Sequence, residues 1–138
     1  MKLVIGGYSQ GKLEYAKKYL CSGAGLPEER VQEWNGELPD GRHFAGERCR
    51  ERVLIINHFH LWVRECLQQG RCPEEEMKDF FEACPDCIVI CDEIGNGIVP
   101  VDAFEREYRE RTGRILIELA EKAEEVVRVI CGLGQKIK

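Results

Sequence analysis

No segment of the 138-residue chain stays apolar for anything near the roughly 20 positions that a bilayer-spanning helix needs, so a helical membrane anchor is excluded. A basic surplus is missing as well: 20 Lys and Arg stand against 25 Asp and Glu, a formal net charge of -5. Nucleic acids and anionic membranes usually call for a basic face, so neither is expected as a partner, and a small-molecule ligand fits better. No signal-like segment precedes the first strand pattern, which leads to the expectation of a cytoplasmic protein. Cysteine, by contrast, is plentiful, with eight residues. Without an export signal these are expected as free thiols. Cys84-Pro85-Asp86-Cys87 has half of a zinc-ribbon spacing, but the matching second pair is lacking. Cys87 and Cys91 lie an even number of residues apart in an apolar run and are expected to share a strand face as small hydrophobes. With 43% hydrophobic and 33% charged residues, the chain is expected to fold as one domain over residues 1–138.

The most informative stretch is Val4-Ile5-Gly6-Gly7-Tyr8-Ser9-Gln10-Gly11-Lys12-Leu13. Lys2 to Ile5 has the signature of a buried strand, and Leu13, Ala16 and Leu20 recur at helical spacing. The glycines between them let successive backbone N–H groups curl around phosphate oxygens, and Lys12 reaches the outer phosphates. Gly6, Gly7, Tyr8, Ser9, Gln10, Gly11, Lys12 and Leu13 are therefore the expected nucleotide-binding residues, with ATP or GTP as ligand. The last place of the motif belongs to a hydroxyl residue that helps hold Mg²⁺, and Leu13 cannot coordinate a metal.

Val31 to Trp34 reads as a short strand ending at Asn35-Gly36, and His43 to Arg52 as one or two helical turns. Val53 to Ile56 has the continuous apolar character of a central strand. His58 and His60 follow at its carboxyl end, the edge where open parallel sheets bind ligands. Helices are expected over Leu61 to Gln69 and Glu74 to Ala83, and a second apolar strand over Cys87 to Cys91. Asp92 and Glu93 then stand at a strand end beside the phosphate loop, where carboxylates hold Mg²⁺ or position an attacking group. A long helix is expected from Val101 to about Lys122, with Phe104, Tyr108, Ile115 and Leu119 on one side. A closing hairpin should form around Gly132-Leu133-Gly134. Alternating strands and helices imply a three-layer α/β fold with a mostly parallel sheet and an antiparallel C-terminal edge.

Three blocks together resemble the bifunctional adenosylcobinamide kinase / adenosylcobinamide-phosphate guanylyltransferase family of cobalamin biosynthesis. They are Gly6-Gly7-x-x-x-Gly11-Lys12, Val53 to Asn57 leading into Leu61-Trp62-Val63, and Glu93-x-Gly95-x-Gly97-Ile98-Val99-Pro100. The similarity continues through Tyr108-Arg109 and Gly113-Arg114 to Lys136-Ile137-Lys138, whereas residues 22–52 do not match. The resemblance implies a RecA-like P-loop NTPase fold, a homo-oligomer, and phosphorylation of a cobinamide-like alcohol by ATP or GTP with Mg²⁺. It makes Lys12 and Glu93 the expected catalytic residues and Asp92 and Glu93 the expected metal ligands. Three departures accompany it. Leu13 replaces the loop hydroxyl, Asn57 stands where the family has an acidic residue, and the arginine-isoleucine-x-x-histidine pattern of the guanylyl-accepting segment is missing. Two functions follow: a kinase without guanylyl transfer, or a binding module that keeps the phosphate site without turnover.

Overall fold

The computed structural model describes residues 1–21, 25, 27–39 and 52–138. His43 and the helical turns expected over residues 43–52 lie outside them, apart from Arg52. The described elements are β1 (Lys2–Gly6), α1 (Lys12–Tyr15, continued by a π-helical turn over Ala16–Cys21), a 3₁₀ turn (Glu28–Arg30), β2 (Val31–Asn35), β3 (Val53–Asn57), α2 (Phe59–Gln68), α3 (Pro73–Ala83), β4 (Ile88–Asp92), α4 (Ala103–Lys122), β5 (Glu125–Ile130) and β6 (Leu133–Lys136).

They form a six-stranded sheet in the order β2-β3-β4-β1-β5-β6. β1 pairs parallel with both β4 and β5, β3 pairs parallel with β2 and β4, and β6 closes the edge antiparallel to β5. This is the expected P-loop NTPase architecture, including its antiparallel edge. The hairpin turn is tighter than expected. Cys131 and Gly132 alone make it, with φ of 50° and 76°, the pair of positive φ values that suits the twist of the flanking strands.

The period-two alternation of buried strands divides the core between the two sheet faces. Leu3, Leu54, Ile56, Val89, Cys91 and Val126 pack on one face with Phe59, Trp62, Met77, Phe80, Ile115 and Leu119 of the three longer helices. Val4, Ile55, Ile88, Ile90, Val127 and Val129 pack on the other with Ala16, Leu20 and Cys21. Cys87 and Cys91 are buried in the same cluster, as their spacing suggested.

Two boundaries move in ways that matter for the site. The second strand runs Ile88–Asp92 rather than Cys87 to Cys91, because Asp92 pairs with Gly6 at the end of β1. α2 begins at Phe59, not Leu61, because His58 takes a left-handed conformation with φ of 54° and turns strand into helix without a linker. Histidine is among the residues that tolerate this region. His60 is consequently in the first turn of a helix and buried.

Candidate functional site

β1 delivers the chain to Gly6 at the carboxyl edge of the sheet. A Cβ on Gly6 would stand 2.4 Å from the Val129 carbonyl oxygen of β5. Only glycine permits this approach, and the loop leaves the sheet there. Ser9 and Gly11 both have positive φ, and Gly11 precedes the first helical residue, Lys12. The outer side of the loop is tied to the β5–β6 hairpin. The Cys131 amide donates to Gln10 Oε1 at 2.8 Å and the Gly132 amide to the Gln10 carbonyl at 2.9 Å. Tyr15 lies against Gly134 so closely that a Cβ there would meet its ring at 2.2 Å.

Lys12 is turned inward. Its Nζ donates to the Gly7 carbonyl at 2.7 Å and lies 2.7 Å from Asp92 Oδ1, with the two side chains only 7% and 9% exposed. The parallel pairing of β1 with β4 sets Asp92 beside Gly6, and the Glu93 amide extends that contact by donating to the Gly6 carbonyl at 2.9 Å. The neighbouring carboxylates then part company. Glu93 is held by Arg128 of β5, with Nε 2.8 Å from Oε1 and Nη2 donating to Oε2 at 2.9 Å. This guanidinium contact pushes the Arg128 pKa upward.

On the far side of Asp92, its backbone amide donates to His60 Nδ1 at 3.3 Å, and His60 Nε2 stands 3.7 Å from Asp92 Oδ2. The His60 carbonyl accepts from the Tyr108 hydroxyl at 2.9 Å, which anchors α2 to α4. Burial lowers the His60 pKa, and the nearby Asp92 charge opposes this without reversing it. His58 packs edge-on to His60, with ring centroids 5.7 Å apart. The site thus brings Lys12, Asp92, His60 and His58 together, and sets Glu93 beside them with its own arginine.

Asn57 belongs to a neighbouring network. Its Nδ2 donates to Asn35 Oδ1 at 2.7 Å, and Lys17 sits 2.7 Å from Glu33. Burial pushes the Glu33 carboxyl up, but hydrogen bonds from Lys17, Asn35 and Asn57 outweigh it and leave the pKa lowered. The arginines of α4 are committed elsewhere. Arg109 donates to the Ile98 carbonyl at 2.8 Å and Arg106 to the Pro100 carbonyl at 3.0 Å, so both pin the glycine-punctuated loop, while Arg111 pairs with Glu74 and Arg114 with Glu110. Sequence reasoning missed the roles of Arg128 and of Asp92 as the partner of Lys12. The available signal was a lone arginine inside the apolar run Val126 to Ile130.

Among known proteins, residues 27–137 match the family described as cobinamide kinase / cobinamide phosphate guanyltransferase. That match includes residues 27–52, which were expected not to align, and starts after the glycine-rich loop. A bifunctional adenosylcobalamin biosynthesis protein, CobU, of Salmonella typhimurium is 36% identical over 72 residues, 49% of this chain and 40% of the relative. Its namesake in Escherichia coli K12 is 37% identical over 81 residues, 56% of this chain and 44% of the relative. The matched part thus spans less than half the length of either relative.

Proposed function

The chain belongs to the cobinamide kinase / cobinamide phosphate guanyltransferase family, and from that premise we propose that it is an ATP- or GTP-dependent kinase acting on a cobinamide-like alcohol in cobalamin biosynthesis. The observation that carries the reading is Lys12, held under a glycine-rich loop with its ammonium group 2.7 Å from Asp92 at the carboxyl ends of two parallel strands. Family membership lends no support to the alternative of a module without turnover.

In this reading the backbone amides of Gly6 to Leu13 cradle the phosphates, and Lys12 leaves Asp92 to neutralise charge on the group being transferred. The substrate oxygen attacks the terminal phosphorus, the bond to the bridging oxygen breaks, and the nucleoside diphosphate leaves. The hydroxyl proton passes to the carboxylate that Lys12 has vacated. Glu93, fixed by Arg128, positions the acceptor. Phosphoryl transfer consists largely of such positioning and electrostatic stabilisation.

Magnesium fits the protein's own groups poorly. Leu13 offers no side-chain oxygen, Glu93 is paired with Arg128, and Asp92, once Lys12 has left it, is the carboxylate that takes the substrate proton. Of the two carboxylates expected to share the ion, Glu93 keeps its own cation and Asp92 has the proton to accept, and no step is assigned to a protein-held Mg²⁺. Guanylyl transfer is left out of the proposal because the histidine-bearing pattern is missing from the sequence.

Thermal unfolding with and without ATP tests the reading. A ligand at about one hundred times its dissociation constant adds about 2.7 kcal/mol, which raises Tm by roughly 5–10 °C in a chain of this size. Lys12→Ala should remove most of that shift and abolish phosphate transfer to cobinamide. A shift of unchanged size in the variant overturns the assignment.

A further inference from the structure

We propose that His58, His60 and Asp92 form a binding site for a divalent first-row transition metal ion of the zinc or cobalt class. A ligand nitrogen from each histidine and an Asp92 oxygen lie within 4.8 Å of one another, with His60 and Asp92 buried and His58 half-buried at the mouth. Two neighbouring strand ends supply the three groups: β3, through the sharp His58 turn into α2, and β4, through its last residue.

The spacing suits coordination better than hydrogen bonding. His60 Nε2 and Asp92 Oδ2 are 3.7 Å apart, beyond a hydrogen bond. Two ligands of a tetrahedral ion bound at 2.0–2.1 Å stand about 3.3 Å apart, so a small approach of the two side chains seats an ion between them. His58, with its imidazole partly in solvent, closes from the open side by side-chain rotation. Asp92 can serve because its two oxygens are divided: Oδ1 meets Lys12 and Oδ2 faces His60. Ligation through Nε2 moves the His60 proton to Nδ1, and the Asp92 amide contact there is given up; at 3.3 Å it is already a long hydrogen bond.

The donor set also selects the ion. Two imidazoles and one carboxylate suit zinc, cobalt or nickel, whereas magnesium demands oxygen ligands. The ion is therefore not the magnesium of a kinase, and its binding does not depend on phosphate transfer, although it shares Asp92 with the proposed transfer site. Lys12 repels a dication at Oδ2, so metal and ammonium compete for Asp92, and phosphates that draw Lys12 away strengthen the metal site.

Cobalt titration of the full chain, followed through its visible ligand-field bands, provides the test. One equivalent should bind in the intact protein. His58→Ala and His60→Gln should each weaken binding at least tenfold, with unchanged circular dichroism for His58→Ala at its half-exposed position. A hundredfold excess of magnesium should leave the bands in place. Absence of bands in the intact protein, or bands retained in the His58→Ala variant, would overturn the proposal. So would intense near-ultraviolet thiolate charge transfer, which places the metal on cysteine, or displacement by magnesium.

Discussion

Replacing Asp92 by asparagine should make the protein less stable and yet a better nucleotide binder. Lys12 and Asp92 are a buried pair, 7% and 9% exposed, with a nitrogen–oxygen separation of 2.7 Å. Removing one partner of such a pair typically costs about 3–5 kcal/mol because the other charge stays behind without compensation. Asparagine keeps an oxygen that accepts from Lys12, as does the Gly7 carbonyl, so the lower end of that range, about 3 kcal/mol, applies. For a chain of this size Tm should fall by roughly 6–12 °C. Nucleotide binding changes in the opposite sense. In the native protein, phosphate must take Lys12 away from Asp92 and leave a carboxylate nearby. In the variant the carboxylate charge is gone, and Lys12 has only neutral acceptors to leave. An energy of about 3 kcal/mol corresponds to about a hundredfold in affinity, and the hydrogen bonds that Lys12 still gives up in the variant reduce the difference, so a gain of ~10- to 100-fold is expected. Calorimetry with ADP in the presence of a chelator isolates this effect from any metal. An affinity for ADP that is unchanged or lower in Asp92→Asn would show that Lys12 does not have to leave Asp92, and the account of the loop would fail.

Gly6→Ala should destabilise the chain by about 2–4 kcal/mol in urea unfolding, since the added Cβ meets a β5 backbone oxygen at 2.4 Å; a loss below 1 kcal/mol contradicts the close approach. The Arg111 guanidinium bonded to Glu74 lowers that carboxyl from 4.5 to about 2. Because the folded pKa lies below the unfolded one, the contribution is fully present above pH 5 and is lost as pH falls toward 2, by about 1–2 kcal/mol once solvent screening is allowed for. Glu74→Gln should flatten the stability profile over that window, and an unaltered profile counts against the pair. Among the cysteines of the described residues, thiol labelling of the native protein should modify exposed Cys131 first and Cys72 more slowly, while Cys21 and Cys66 stay blocked. Burial pushes Cys66 up to about 11, so labelling of Cys66 at the rate of Cys131 would disprove the packing.

Much of the fold was legible because its signals are local. The apolar runs at β1, β3 and β4 carry strand character in themselves, and Pro73 with three following glutamates marks a helix start. The loop from Gly6 to Lys12 declares itself by spacing alone. The inner wiring of the site was not legible. Which carboxylate meets Lys12 depends on β4 lying next to β1, and strand order is a tertiary outcome that residue patterns do not encode. The assignment of Asp92 and Glu93 to one shared role reflects their adjacency in sequence. Asp92 is the last residue of β4 and Glu93 the first beyond it, and they pair with cations from different elements. The sequence places His60 just ahead of a helix expected from Leu61, because the sign of the earlier start is the backbone of His58, whose left-handed turn leaves no mark in hydrophobic periodicity.

The two bonds from Gln10 to the Cys131–Gly132 turn have a consequence for how the protein is made. They join residues 121 and 122 positions apart in sequence. β1, its glycine loop and α1 leave the ribosome well before the hairpin that holds the loop from outside. Such distant contacts are formed late, since chain closure must be achieved before they contribute. A nascent chain halted after α4 therefore carries every residue of the glycine-rich motif and still lacks the buttress that shapes it. A ligand of this loop is therefore expected to support folding only once the hairpin docks, and not as a template for what precedes it.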